Sequence, residues 1–430
     1  MKLRILFLLL IMLTQNISGQ DQQNSFENIS DYFDEIRVAT KKSSKLWNFD
    51  LYHAILLVEP KSRQIFSNES DSANILKPNG NIYSGILPDD INIANTSLNW
   101  SGKRWAMIML PLPKNKQDRI NLLVHELFHT AQPSLGFTLY NPENNHLDQK
   151  DGRVYLRLEL EALKKAVRSS SKKELKRHLK NALAFRKYRH QLYNGSQTTE
   201  NLLELNEGIA EFTGLIVSDR SKKQVTEHFV NSINSFLSNP TFVRSFAYQT
   251  IPIYGYLLSS KRKNWNKDIT DKTDLTSYFI KAFDIDLSKS TEDKIESLSE
   301  SYNGKIIIQE EKERQEKAKK IVAEYKLKFI EQPHFEIQFE KMNVSFDPRN
   351  IIPVEDKGTV YPNIRVTDLW GVLTVENGAL MTTDWSKISI TNPTKTDGNK
   401  IYGNGWILEL KDGYTVQKDG AGSGYKLKKN

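Results

Sequence analysis

Two histidines stand four residues apart in Val124-His125-Glu126-Leu127-Phe128-His129-Thr130, with a glutamate directly after the first. On an α-helix, residues four apart are offset by about 40°, so both imidazoles project from one face and can reach one Zn²⁺. Glu126 lies about 100° further round, beside such a metal rather than on it. A carboxylate placed there can take a proton from an activated water. Leu122, Leu123, Val124, Leu127 and Phe128 predict that the helix is buried on its other sides. The plainer alternative is an amphipathic helix whose histidines are satisfied core residues.

A catalytic zinc usually takes three protein ligands and keeps a further position for water. The chain has no cysteine, so every ligand must be His, Asp or Glu. The residues directly after His129, TAQPSLGF, hold no histidine. His146, in the polar stretch NPENNHLDQK, is one candidate. Glu159 and Glu161, in YLRLELEALKK, are others; their plainer role is helix-surface charge or a buried partner for Arg157. The remaining candidates lie in LELNEGIAEFTG, residues 203–214.

With the histidine pair, this last segment resembles the gluzincin peptidases, the superfamily that includes thermolysin and aminopeptidase N. Asn206-Glu207-Gly208-Ile209-Ala210 matches the NEGFA-type segment of aminopeptidase N relatives nearly letter for letter. The resemblance implies Glu207 as the third zinc ligand. It implies that Glu211 orients a zinc histidine, as in thermolysin-like members, and that Asn206 supports a histidine as well. In FAYQTIPIYGYLL, residues 246–258, Tyr248 falls where aminopeptidase N relatives carry the Tyr of a Tyr-x-x-Gly segment, a donor to the oxyanion. Ile251 replaces the glycine, and Tyr254 is the alternative donor. Gluzincins place a strand at the cleft edge just before the zinc helix, where an extended peptide can pair; Trp105 to Leu110 holds that place. Two features depart from aminopeptidase N relatives. The interval from His129 to Glu207 is 78 residues, much longer than theirs, and their Gly-x-Met-Glu-Asn anchor for a free amino terminus is absent. The resemblance covers residues 105–258.

The elements that must position these residues follow from apolar spacing. A helix is expected around Phe26–Leu46, and strands at Tyr52–Val58, Arg63–Phe66, Ile82–Leu87 and Trp105–Leu110. The histidine helix starts near Gln117. Further helices are expected at Val154–Val167, Lys172–Tyr193, Glu200–Val217, Lys223–Leu237 and Ser245–Leu258, the last holding Pro252. Glu310–Ile330 reads as a charged helix stopped by Pro333. From Phe335 onward, short β-rich runs alternate with the turn pairs Asn377-Gly378, Asp397-Gly398 and Asp412-Gly413. The expected class is α+β: a signal segment at 1–19, a mainly helical zincin-type catalytic domain with an N-terminal β-sheet part at 20–305, a connecting helix at 306–333 and a small all-β domain at 334–430.

Lys2 and Arg4 followed by the apolar run Ile5–Leu13 and then Ser18-Gly19 read as a cleaved secretory signal, with an uncleaved anchor as the alternative. No later stretch approaches the roughly 18 apolar residues of a spanning helix. The formal charge is +8, and from Lys164 to His190 eleven Lys or Arg accompany one acid, Glu174. That run is expected either as solvated helix faces or as a patch for anionic partners. Export and the lack of a nucleic-acid motif argue against DNA or RNA. The expectation is an exported, periplasmic or secreted, zinc-dependent hydrolase of peptide or protein substrates, with oligomeric state open. The alternatives are a non-catalytic zincin-fold scaffold and a zinc hydrolase of a non-peptide substrate.

Overall fold

The computed structural model describes residues 29–138, 140–287, 294–347, 350–420 and 424–429. The expected signal segment lies outside them. The class is α+β: a mixed sheet and a helical layer come first, and an all-strand region follows.

The first sheet contains β1 (Ile55–Val58), β2 (Gln64–Ser67), β3 (Lys77–Asn79), β4 (Ile82–Ile86), β5 (Thr96–Trp100) and β6 (Lys103–Met109), in the order β3-β4-β2-β1-β6-β5. β1 and β6 run parallel, with Ile55 opposite Ala106; the other neighbours are antiparallel. Successive side chains point to opposite faces of a strand. Ile55, Leu57, Ala106 and Ile108 enter the main core, while Leu56, Val58, Trp105 and Met107 enter a smaller core on the other face. Burial on both faces is why these strands are apolar throughout rather than alternating. It also corrects the expected cleft edge. β6 is paired on both sides, so the free edge belongs to β5. The loop after β2 is built on Asp71, which accepts the backbone N–H groups of Ala73, Ile75 and Leu76 and the Ser101 hydroxyl.

The helices are α1 (Ile29–Lys42), α2 (Lys116–Ala131), α3 (Lys150–Val167), α4 (Lys172–Leu192), α5 (Ser196–Leu203), α6 (Ile209–Val217), α7 (Lys222–Phe236), α8 (Ala247–Ser259), α9 (Leu275–Ala282), α10 (Ile295–Glu300) and α11 (Gly304–Lys326). Among the described residues, no helix is long and apolar enough to cross a membrane. The expected single helix from Glu200 to Val217 is interrupted. A π-turn at Glu204–Gly208 joins α5 to α6, with the Ile209 N–H bonded to the Glu204 carbonyl. Such turns insert a residue, and they concentrate at functional sites.

α3 and α4 form a hairpin that occupies the sequence interval between His129 and Glu207. Two cations of the basic run, Arg186 and Arg189, are fully buried there, so neither solvated faces nor an anion patch describes them. Arg186 bonds Glu159 at 2.7 Å and both oxygens of Glu204 at 2.9 and 2.7 Å. Arg189 bonds Glu159 at 2.8 Å and both oxygens of Glu200 at 2.8 and 2.6 Å. Tyr254 donates to Glu159, Thr250 donates to Glu204, and His146 and His190 approach Glu200. A buried charge is tolerable only when paired and hydrogen-bonded, and here each carboxylate meets at least one guanidinium. The network ties α3, α4, α5 and the π-turn to α8.

The strands after residue 333 form two facing sheets. One is ordered β18 (Tyr414–Lys418), β19 (Tyr425–Lys429), β7 (His334–Gln338), β14 (Lys387–Thr391), β13 (Ala379–Met381), β10 (Gly358–Tyr361) and β9 (Ile352–Val354). The other is ordered β15 (Pro393–Asp397), β16 (Lys400–Gly403), β17 (Trp406–Leu410), β12 (Gly371–Val375), β11 (Ile364–Asp368) and β8 (Asn343–Phe346). Phe335, Ile337, Ile388 and Ile390 of one sheet share a core with Val366, Leu373, Trp406 and Leu408 of the other. Val243, from the segment before α8, also enters this core. α11 is fastened at its start, where Glu311 accepts Arg153, Arg157 and Arg314. Just beyond its end, Phe329 is buried with Val354, Val360 and Leu380. Asn92 donates to the Asn343 carbonyl at 3.1 Å, and Arg365 reaches the Asp89 carbonyl at 3.0 Å. Edge strand β8 therefore stands beside the loop that leads into β5.

Candidate metal centre

α2 is started by Asn115, whose side chain accepts the Asp118 N–H at 3.0 Å. Ile120, Leu123, Val124, Leu127, Phe128 and Ala131 are buried, which fixes its rotation and turns His125 and His129 towards α6. The close approach of α2 and α6 requires Gly214: a Cβ there would lie 2.5 Å from the Asn121 carbonyl oxygen.

His125, His129 and Glu207 converge. The two Nε2 atoms are 3.1 Å apart, and each is 3.3 Å from Glu207 Oε2. Nitrogen and oxygen ligands at about 2.0–2.1 Å from a tetrahedral zinc are separated by about 3.3 Å. The triangle thus has the dimensions of one face of such a polyhedron. Among the described residues these three alone form a group able to hold a metal. The other candidates for a third ligand are engaged elsewhere. Glu159 is bound to Arg186 and Arg189, not to Arg157; Glu161 pairs with Lys164; His146 meets Glu200.

Each histidine is held from behind. His125 Nδ1 is 3.0 Å from Glu211 Oε2, and Asn121 donates to the other Glu211 oxygen at 2.8 Å. His129 Nδ1 is 2.6 Å from Gln132 Oε1. Both contacts are satisfied when Nδ1 carries the proton, which leaves both Nε2 lone pairs free for a metal. Gln132 in turn donates to the Asn206 carbonyl at 2.9 Å. Asn206 therefore supports His129 only through its backbone. Its side chain instead donates to Asn141 at 2.8 Å and to Glu207 Oε1 at 3.2 Å, which corrects the expected contact with a histidine.

Glu126 is buried beside the triangle, and its Oε2 has no hydrogen-bond partner. A buried, unpaired carboxylate oxygen is costly, and it fits a group that a bound water would satisfy. Burial pushes this carboxyl up, more than the two histidines pull it down. Glu211 is lower than an ordinary carboxyl: burial raises it, but the hydrogen bond and charge of His125 prevail.

Tyr248 and Tyr254 part company. Tyr248 stacks on His125, with ring centroids 5.2 Å apart, and donates to Glu207 Oε2 at 2.6 Å. Burial and the Glu207 charge push its phenol well up, so it stays a donor. Tyr254 points the other way, into the buried ion network. Tyr248 is brought close because Gly208 has no side chain. A Cβ there would lie 2.8 Å from Ile251 Cβ and 3.2 Å from the Ala247 carbonyl oxygen.

Asn95, just before β5, and Thr96 and Ser97 at its start line the same space as Glu126 and Tyr248. This space lies beside a larger cleft of about 750 Å³, walled by β5, Glu207, the start of α8 and β8. Sequence reasoning passed over Gln132, Asn121 and Asn141. Gln132 alone carried a signal, since it stands three residues past His129, where a helical neighbour can meet it. Comparison with protein-family models, with curated proteins and with solved structures finds no match to this chain.

Proposed function

We propose that this chain is an exported zinc metallopeptidase of the gluzincin type. The reading rests on one observation: His125, His129 and Glu207 present their ligand atoms at tetrahedral spacing, with the unpartnered Glu126 and the donor Tyr248 beside them. His125, His129 and Glu207 would hold Zn²⁺, which supplies when bound a Lewis acid that polarises a carbonyl and acidifies water. Glu126 takes the proton of the attacking water and passes it to the leaving amine. Tyr248 turns its hydroxyl from Glu207 to the oxyanion as charge develops there. Glu211 and Gln132 fix the imidazoles, and an extended substrate adds to the free edge of β5.

Metal analysis of the purified chain, followed by digestion of a mixed peptide library, tests this. About one zinc per chain and cleavage by the wild type but not by Glu126→Gln are expected. A chain that binds no zinc, or whose zinc-loaded form cuts no peptide, overturns the reading.

A further inference from the structure

The cleft beside the metal centre has an uneven charge. Glu207 and Arg244 are the only charged residues that line it among the described residues, and Glu207 is committed to the histidine cluster. Arg244 has no carboxylate partner within ion-pair distance among the described residues. Among the described residues its one hydrogen bond runs from Nη1 to the Asn141 carbonyl at 3.0 Å. Its Nε is buried and unpartnered, and so is the hydroxyl of Ser245, which lines the same wall. A guanidinium presents N–H donors in a fork that matches a carboxylate. Here the half-buried side chain lines the cleft, and Nη2, which is not buried, makes no hydrogen bond among the described residues, so that arm of the fork is open to a ligand.

The position relative to the chemistry is fixed by Asn141. Its carbonyl holds Arg244, while its side-chain oxygen accepts Asn206, the residue before Glu207. Arg244 also precedes Tyr248 by four residues in one continuous segment, and both face the cleft. A substrate carbonyl placed at the metal centre therefore puts its neighbouring residues beside Arg244.

We propose that Arg244 selects substrates that carry a carboxylate near the bond to be cut. This rests on the peptidase reading of the same site. The carboxylate could belong to an Asp or Glu side chain or to the free C-terminus of a short peptide. Both offer the same chemistry, and capping the terminus separates them.

The test uses the full chain loaded with zinc, in its Glu126→Gln form for binding and unsubstituted for turnover. The probes are three hexapeptide pools: neutral with amidated ends, neutral with a free C-terminus, and Asp/Glu-containing with amidated ends. Equilibrium dialysis read by mass spectrometry should show one or both carboxylate pools bound about ten- to a hundredfold more tightly than the neutral amidated pool. Preference for the third pool assigns a side chain; preference for the second alone assigns the terminus. Arg244→Met should abolish the preference, Arg244→Lys should keep part of it, and Arg244→Glu should transfer it to a Lys-containing pool. Equal binding of all pools, or a preference that survives in both Arg244→Met and Arg244→Glu, overturns the proposal. The two readings fail separately. Arg244-dependent binding without turnover sinks hydrolysis and keeps the carboxylate site. Cleavage indifferent to carboxylates sinks the site and keeps hydrolysis.

Discussion

Gly208→Ala adds one methyl group to the turn that carries Glu207, and its effect can be worked out from three distances. The new Cβ would lie 2.8 Å from Ile251 Cβ and Cγ1 and 3.2 Å from the Ala247 carbonyl oxygen. Carbon atoms rest at about 3.5–4.0 Å, so α8 must retreat by roughly 0.7 Å. Gly208 has φ −65° and ψ −38°, which alanine adopts freely. Helix propensity alone would stabilise the variant by about 1 kcal/mol. Overpacking costs about 1–3 kcal/mol, so the net loss is about 0–2 kcal/mol and the fold survives. Tyr248 moves with α8, and its 2.6 Å bond to Glu207 opens to a weak contact. A displacement of about 1 Å in a catalytic group can cost roughly a hundredfold in rate, so turnover should fall about ten- to a hundredfold. The assay compares peptide turnover, zinc content and thermal midpoint of variant and wild type. Zinc should stay stoichiometric, since the methyl group meets α8 and not the histidine helix α2 at its nearest contacts. Full turnover in a folded, zinc-loaded Gly208→Ala would refute the claim that this glycine sets the Tyr248 position.

Three more outcomes are expected. Tyr248→Phe should lower kcat by about 10²–10³ with little change in KM, whereas Tyr254→Phe should leave turnover intact and cost about 1.5–3 kcal/mol of stability in denaturant titration, because it removes a buried bond to Glu159. Glu211→Gln should weaken zinc binding about 10–100-fold in a chelator competition, through His125, without removing a ligand. Asp71 sits at about 2: burial raises it, but the Ser101 hydroxyl and the Ile75 and Leu76 N–H groups outweigh that. Its folded value lies below its unfolded one, so its contribution is complete above about pH 4 and is lost as pH falls towards 2. After allowance for solvent screening this is on the order of 1 kcal/mol, seen as an acid-side slope that Asp71→Asn flattens.

What could be read in the sequence depended on how locally each feature is encoded. His125 and His129 share one helix, so their spacing already states that they meet. Glu207 lies 78 residues on, and only its resemblance to a known segment singled it out. Glu159 looked like a rival because a carboxylate reads the same whether it faces a metal or a buried arginine. Arg186 and Arg189 were hidden in the same way, inside a run that counts as surface charge on paper. The cleft edge falls to β6 on paper because that strand directly precedes the histidine helix, where the resemblance places it. β5, with the mixed sequence Thr-Ser-Leu-Asn-Trp, carries too weak an alternation to announce itself. β3, Lys-Pro-Asn, is exposed throughout and had no apolar signal at all. The π-turn was invisible because it adds a single residue to one turn, a shift smaller than the scatter of the apolar spacing on its two sides.

The buried ion network bears on how such a molecule survives its own company. Under the proposed function the molecule meets other copies of itself, and each is a polypeptide with bonds to offer. Proteolysis acts on segments that open transiently, at a rate set by how often they do so. Fraying α3, α4 or α5 would leave an arginine or a carboxylate of the Arg186, Arg189, Glu159, Glu200 and Glu204 cluster without its partner while the rest stays out of water. Breaking one side of a buried pair costs about 3–5 kcal/mol, which makes such partial openings roughly a hundred- to several-thousandfold rarer. Without a single disulfide, the helices around the candidate metal centre are thus kept from opening to proteolysis one at a time, because no one of them can leave alone.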